Sequence, residues 1–557
     1  MRFNRFLGAA AVVTGVMLGA CDALDLAVNN TNAPDRGRIF KTPAEVQNLA
    51  SSQFQQIISG TIGSITRTHI GMLTASFENA SGLANNGLGP RGGIPRQPID
   101  NIPGNAYSEE NYADFRILTG VARNAADIIA RASAEDFDLA GGAPDVDRLK
   151  SWAFFVYGVS LGYLSLVYDS AGVPRPTDGP ADIPPLEGYM DVNAEAIAAF
   201  DSALAYASKA GVPALPGQWL KGPNASDVSM SEFQRIIRSF RARMRAGVAR
   251  NPTERAAVDW NAVIADATNG IQSDFMINMN PSQGWDYAWL ATTLHFRDVN
   301  WHQMTPYIIG MADVSGAYDA WLATPRDQRT PFTIVTPDKR FPQGSTRAEQ
   351  QRPADDDDKP LPAGQYFRNR NSGKDNAALG WQNSQYDHYR HRGWADASRI
   401  GAFPYFTVAE NDMLAAEGYI RTGQIAQAAQ LIDKTRVKNG LPALTGAVAS
   451  ANDPVPGGNQ CVPRVPDPAA GYKATKCGDI MEAMKWEKRM ETAYTTYGAW
   501  FFDSRGWGDL PEGTAVHWPV PFQEANARRM TPYNFGGIGG QGAAGPSTYG
   551  FGSGSDL

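Results

Sequence analysis

Residues 405–441 read YFTVAENDMLAAEGYIRTGQIAQAAQLIDKTRVKNGL, two short helices joined by a tight turn. Phe406, Ala409, Met413, Ala416 and Ile420 recur at steps of three and four, the spacing that lines one helix face. Thr422-Gly423 ends the first helix, because glycine accepts the left-handed cap conformation. Ile425, Ala428, Ala429 and Ile432 repeat the stripe, Asn439-Gly440 ends the second helix, and Pro442 blocks its restart. Ala426, Ala428 and Ala429 are small enough for close helix approach. Such a hairpin cannot bury its own apolar face. It needs further helix pairs stacked on it, so the fold class expected is mainly α, a tetratricopeptide-like scaffold of helix pairs.

The chain has 557 residues, 43% of them hydrophobic, enough for a large core. A formal net charge of -7 and the lack of a basic stripe give no sign of nucleic acid. The 56 glycines and 37 prolines exceed the average but not the disordered range, which points to long ordered loops.

Arg2 and Arg5 precede a mostly apolar run over 6–20, shorter than the ~20 residues that span a bilayer comfortably. This fits a secretory leader. Leu18-Gly19-Ala20-Cys21 resembles the bacterial lipobox, which implies cleavage before Cys21 and a diacylglycerol on its sulfur. The competing reading is an ordinary leader with an incidental cysteine. The domain plan expected is a leader over 1–20, a lipid-anchored tether over 21–40 and one helical domain over 41–557. No later stretch is long and apolar enough for a spanning helix, so the expected membrane attachment is the lipid. Cys461 and Cys477 lie in a Pro/Gly-rich loop. In a secreted chain one nearby pair suggests a disulfide; a metal site would need further ligands, and none lies beside them.

Thr42-Pro43-Ala44-Glu45 is a capping box with proline at the first helical position, opening a helix expected over 43–59. A second is expected over 65–77. Residues 78–108 form a long irregular stretch, of the kind that is functional or disordered. Apolar stripes predict helices over 113–132, 146–167, 193–210, 231–249 and 260–271. Residues 274–404 break the pattern with aromatics and turn-formers and read as an inserted, loop-rich ligand face. Asp355 to Asp358 form a charge run, by default a solvated loop, with calcium the minority reading for want of an ordered ligand register. A last helix is expected over 479–502, and 533–557 is Gly/Ser-rich and irregular.

Four places resemble the SusD/RagB family of outer-membrane nutrient-binding lipoproteins. They are Cys21-Asp22 with Leu24-Asp25; FFVYGVSLGYLSLVYDSAGVP over 154–174; the hairpin with Glu410, Leu414, Ala416-Glu417, Gly423, Ala428, Ile432, Arg436 and Gly440-Leu441-Pro442; and the C-terminal run. In that run Trp486-Glu487-Lys488-Arg489-x-Glu491 resembles the family's E-R-x-x-E-L. Trp500-Phe501-Phe502-Asp503-x-Arg505 follows, and His517-Trp518-Pro519-Val520-Pro521-x-Gln523-Glu524 resembles its L-P-I-P-x-x-E. The chain departs from the pattern in a Ser-Ala inserted before Gly172, in Thr495-Thr496-Tyr497-Gly498 where the family has E-G-x-R, and in Trp518-Pro519 for L-P. Asp22 would hold a lipoprotein at the inner membrane under the enterobacterial rule, but acidic residues follow the cysteine in surface lipoproteins of this family. The resemblance implies a tetratricopeptide-like scaffold with a loop-rich ligand face, anchored on the outer leaflet of the outer membrane. It implies capture of oligosaccharide or peptide for a SusC-like TonB-dependent transporter.

A glycan site needs aromatic faces for sugar C–H surfaces and polar groups for hydroxyls. Trp285-x-Tyr287-x-Trp289 alternates three rings on one side of a segment read as extended, with Trp301 nearby. Tyr386, Tyr389 and Trp394 form a second group, and Asn79, Arg96 and Asn101 are hydrogen-bonding candidates from the first long loop. Against this, most aromatics in a chain this size are core, and Trp486, Trp500 and Trp507 read as packing. No cofactor, metal site or catalytic residue is expected: the chain has no H-E-x-x-H and no phosphate loop. The His295/His302 and His388/His391 pairs read as surface or satisfied histidines. A glycosidase would need two carboxylates across a cleft, a separation no sequence displays. An envelope scaffold built of helical repeats is the other alternative, with no need for an aromatic insertion.

Overall fold

The computed structural model describes residues 40–64, 68–80, 87–105, 109–179, 182–295, 303–372, 383–553 and 556. The leader, Cys21 and Trp301 lie outside them. The chain divides into Met1–Leu49 and Ala50–Leu557. In the first unit the capping box forms as expected: the Glu45 N–H donates to the Thr42 hydroxyl and the Thr42 N–H to the Glu45 carboxylate, both at 3.3 Å. Helix α1, Pro43–Ser51, starts there. A separate helix α2, Gln53–Thr61, replaces the single expected helix, the break falling at Ser52; nothing in the sequence marks that break. All that follows concerns the second unit.

Helix α3 is Thr68–Ala75, α4 Glu109–Ala132, α5 Ala143–Val167, α6 Tyr189–Ala207 and α7 Met230–Gly247. The short α8, Pro252–Ala256, precedes α9, Trp260–Thr268. The stripes explain the packing. On α7, Phe233, Ile236, Ile237, Phe240 and Met244 are buried, and the Ser229 hydroxyl caps the start by accepting the Glu232 N–H. From Trp152 to Val167, α5 is buried on nearly all sides and serves as the central rod. Successive helices pack in turn: α4 and α6 on α5, α7 on α6, α9 on α7.

Residues 274–404 are less loop-like than expected. Strands β1 (Ser170–Gly172) and β2 (Leu186–Gly188) pair before them, and β3 (Phe275–Met279) opens them. Helix α10, Ala288–His295, follows, then β4 (Phe367–Asn369), β5 (Tyr386–His388), helix α11 (Arg392–Asp396) and β6 (Gly401–Phe406). Strand β3 pairs antiparallel with β6, Phe275 opposite Phe406 and Met279 opposite Gly401. The two ends of the insertion therefore zip together and close its neck. Phe406 belongs to this strand and not to the helix face assigned to it above.

The opening hairpin is α12, Val408–Arg421, and α13, Ile425–Arg436. The Thr407 hydroxyl caps α12, and Gly423 turns the chain at φ 76. Gly418 lets α9 approach: a Cβ there would stand 2.7 Å from Ile264 Cγ1. Met413, Ala416 and Ile420 pack on Ala428, Ala429 and Ile432. Ile480, Ala483 and Met484 of α14 (Ile480–Thr492) and Trp507 of α15 (Ala499–Trp507) complete this core. The single helix expected over 479–502 is broken. Tyr494 takes a left-handed φ of 55, giving its N–H to the buried Glu78 carboxylate at 2.7 Å and its hydroxyl to the Glu78 carbonyl at 2.9 Å. A long-range contact overrides the periodicity.

Strands β7 (Arg464–Pro466) and β8 (Thr475–Cys477) pair, and Cys461 and Cys477 are disulfide-bonded, a sequence separation of 16. In the chain-entropy account such a loop contributes roughly 3 kcal/mol. The Cys461→Ala/Cys477→Ala variant should lose about 2–3 kcal/mol in urea unfolding. An unchanged midpoint would show that the β7–β8 pair alone holds the loop.

Candidate functional site

Three chain segments meet beyond the neck. Ala80 and Gln303 exchange backbone hydrogen bonds at 2.8 and 3.2 Å, Gln303 Nε2 donates to the Ser384 carbonyl at 2.9 Å, and Met304 N–H donates to the Tyr386 carbonyl at 2.9 Å. Strand β5 pairs in turn with β4. The first long loop and two parts of the insertion thus share one polar junction, which brings Asn79 and Tyr386 of the candidate set together. The Asn79 side-chain oxygen Oδ1 accepts the Tyr494 hydroxyl at 3.1 Å. The Tyr386 hydroxyl accepts the Ile334 N–H at 2.9 Å and bonds Gln350.

The other candidates divide. Trp285 does not line an extended face with Tyr287 and Trp289. It pairs with Asn280 across a β-bridge and packs near Phe54, while Trp289 sits in the first turn of α10. Alternation in sequence was not alternation in space, because the chain enters a helix at Ala288. Trp285, Tyr287, Trp289, Tyr386 and Tyr389 are all buried. Tyr287 bonds His69 at 2.6 Å, and the Tyr389 ring lies under Arg368 at 4.2 Å. Helix α10 packs on α11, and there Tyr287, His391 and Trp394 gather round Phe403, with ring centroids 5.7, 4.9 and 4.8 Å from it. The two aromatic groups therefore do meet, at a hub residue, Phe403, that the sequence reading passed over. Trp394 is half-buried, and neither its indole N–H nor that of Trp289 has an acceptor.

Arg96 and Asn101 are occupied by protein. Arg96 donates to the Ala75 carbonyl at 3.0 Å and Thr514 Oγ1 at 3.1 Å. Asn101 Nδ2 donates to the Val520 and Tyr533 carbonyls at 2.9 and 3.1 Å. These two residues staple the described part of the loop, 87–105, which contains a short helix at Leu88–Gly92, to the C-terminal segment.

Charge inside the junction is matched by contact pairs. Asp387 accepts from Arg368 at 2.7 Å and Arg370 at 2.9 Å. Asp357 is 1% exposed, its carbonyl accepting from Arg368 at 3.0 Å, so the charge run is not solvated along its length. Burial, then the Arg390 charge, pushes the His391 imidazole well below its usual range, and burial alone takes His69 down to about 3. Both are neutral rings in the interior, which for His391 removes the surface alternative. A cavity of about 560 Å³ opens beside the disulfide and one of about 370 Å³ near α8; neither is lined by the aromatic candidates.

No protein-family model matches the chain, and comparison with curated proteins gave no match. Solved structures do match. A SusD homolog from Parabacteroides distasonis superposes with a TM-score of 0.53 at 15% identity, over 87% of this chain and 93% of that one. A SusD superfamily protein from Bacteroides vulgatus gives 0.50 at 11% identity, over 88% and 90%. The likeness is one of fold: the helical scaffold described above is similar to that of these SusD superfamily proteins.

Proposed function

We propose that this chain, built on the SusD scaffold, is a nutrient-binding lipoprotein of the outer membrane. It captures an oligosaccharide or peptide without chemical change and hands it to a SusC-like TonB-dependent transporter. The fold carries the reading, since the likeness spans most of both chains. The lipobox-like Leu18-Gly19-Ala20-Cys21 that follows the apolar run supports a lipid anchor. At the neck, a half-exposed Trp394 offers a stacking face.

Titration calorimetry of the chain lacking residues 1–21 against glycan and peptide panels tests capture. We expect one class to bind and Trp394→Ala to weaken it about tenfold, or ~1.4 kcal/mol, with melting unchanged. Silence across both panels, or turnover of chromogenic glycosides, would sink the reading. A large β-barrel co-purifying from detergent extracts is the result expected for the transporter partnership.

A further inference from the structure

The cavity of about 370 Å³ is lined by Tyr189, Arg250, Glu254, Arg505, His517 and the 542–546 loop, among others. Several buried guanidiniums elsewhere are matched with carboxylates at contact distance, Arg243 with Glu410, Arg340 with Asp338 and Arg368 with Asp387, each at 2.7 Å, while Arg96 and Arg436 bond chiefly to carbonyls. Arg250 and Arg505 are 3% and 2% exposed, and neither has a carboxylate at ion-pair distance among the described residues. Their partners are backbone carbonyls. Arg250 donates to Ser165 at 2.6 Å and Tyr168 at 2.8 Å, at the C-terminus of α5. Arg505 donates to Gly247 at 2.8 Å, the end of α7, and to Val516 at 2.7 Å.

Helix C-termini are partial negative charges, which accounts for the position of both cations but not for all their donors. Arg250 Nε and Arg505 Nε have no acceptor, and neither ring nitrogen of His517 has a partner. The carboxylate lining the cavity, Glu254, is taken by its own turn, accepting the Arg250 N–H at 2.8 Å and Asn251 Nδ2 at 2.7 Å. Asp169 acts on Arg250 only through space; its carboxylate is held by the Tyr533 hydroxyl at 2.8 Å. The positive groups also repel one another. Burial, then Arg250 and Arg505, takes the His517 imidazole down to about 2, and burial, then Arg250, lowers Arg505. Asp169 and Glu254 act on the Arg250 guanidinium, and Glu254 on that of Arg505, only through space, so an anion arriving at contact distance would add stability.

We propose that this cavity is a carboxylate-binding site, in which Arg250, Arg505 and His517 receive the acid group of a small ligand. The Tyr189 ring, stacked on Arg250 at 4.1 Å, provides an apolar wall for the rest of the molecule. The carboxylate comes from a uronic acid sugar or from a peptide C-terminus. The site lies apart from the aromatic junction and goes beyond the capture reading.

Calorimetry of the full chain tests it with D-glucuronate, D-glucose, glycylglycine and glycylglycine amide. We expect glucuronate or glycylglycine to bind at about 1 mM or tighter, and their neutral counterparts to give no heat. Glucuronate alone identifies a sugar acid; glycylglycine alone identifies a peptide terminus. Gly545→Asp puts a competing carboxylate into open space, since a Cβ there meets nothing within 4 Å. It should weaken binding at least tenfold with melting unchanged. His517→Leu removes a ring whose nitrogens hold nothing and should weaken binding similarly. Binding of neither acid, equal binding of acid and neutral probes, or wild-type affinity in both variants would overturn the site. Trp394→Ala should leave glucuronate or glycylglycine binding intact, which separates this site from the capture face.

Discussion

Glu417→Ala should destabilise the protein by about 3–5 kcal/mol, because it strands a guanidinium that the fold has sealed from water. Arg255 and Glu417 are both 0% exposed. Arg255 donates to Glu417 Oε1 at 2.9 Å and Oε2 at 2.5 Å, and to Asp503 at 3.0 Å. Lys488 reaches Asp503 at 2.9 Å, and the Trp507 indole N–H donates to Glu417 at 3.1 Å. The network therefore joins α8, α12, α14 and α15. Burial raises the Glu417 carboxyl, but Arg255, then Arg421 and Lys488, outweigh it and hold the group down at about 2. A depressed carboxyl stabilises the fold above its unfolded value near 4.5, and that contribution drains away as pH falls toward 2. Urea unfolding of wild type and Glu417→Gln between pH 7 and pH 2 should show the two curves converging over that window. Arg255→Met/Glu417→Leu should be far milder than either single change, because it removes both charges at once. A single-variant loss under about 1 kcal/mol would mean that water reaches the pair.

The hairpin over 408–436 was legible because period and punctuation agree there: apolar residues at three and four, glycine at φ 76, a proline stop. The charged run over 485–491 was legible as a motif but not as a structure. Its partners are distant: Glu487 meets Arg340 at a separation of 147 residues. The neck escaped notice for the same reason, since Phe275 and Phe406 lie at opposite ends of the aromatic insertion. Within the site, ring type was visible and ring placement was not. Trp285 and Trp394 are the same residue, yet one packs near Phe54 and the other is half-buried beside Phe403. Burial is decided by which segment lies on top, and that is a tertiary fact.

Glu78 carries the second large effect, with the opposite sign. It is 2% exposed, no cation lies at ion-pair distance among the described residues, and burial pushes its carboxyl up to about 8 against the pull of the Tyr494 N–H. The unfolded chain releases this proton near 4.5 while the folded chain keeps it, so stability falls as pH climbs from 4.5 toward 8. At about 1.4 kcal/mol per pH unit, the loss at pH 7 is roughly 3 kcal/mol. Glu78→Gln keeps an acceptor for the Tyr494 N–H and has no proton to lose. It should therefore exceed wild type by about 3 kcal/mol at pH 7 and match it near pH 4.5 in urea unfolding. A deficit for Glu78→Gln at pH 7 that closes as pH falls below 4.5 would show instead that the ionised carboxylate is the form the fold needs. Retention of so costly a group is explained by geometry. Its bond to Tyr494 fixes the left-handed residue that separates α14 from α15, and only after that break does α15 carry Trp507 to Glu417.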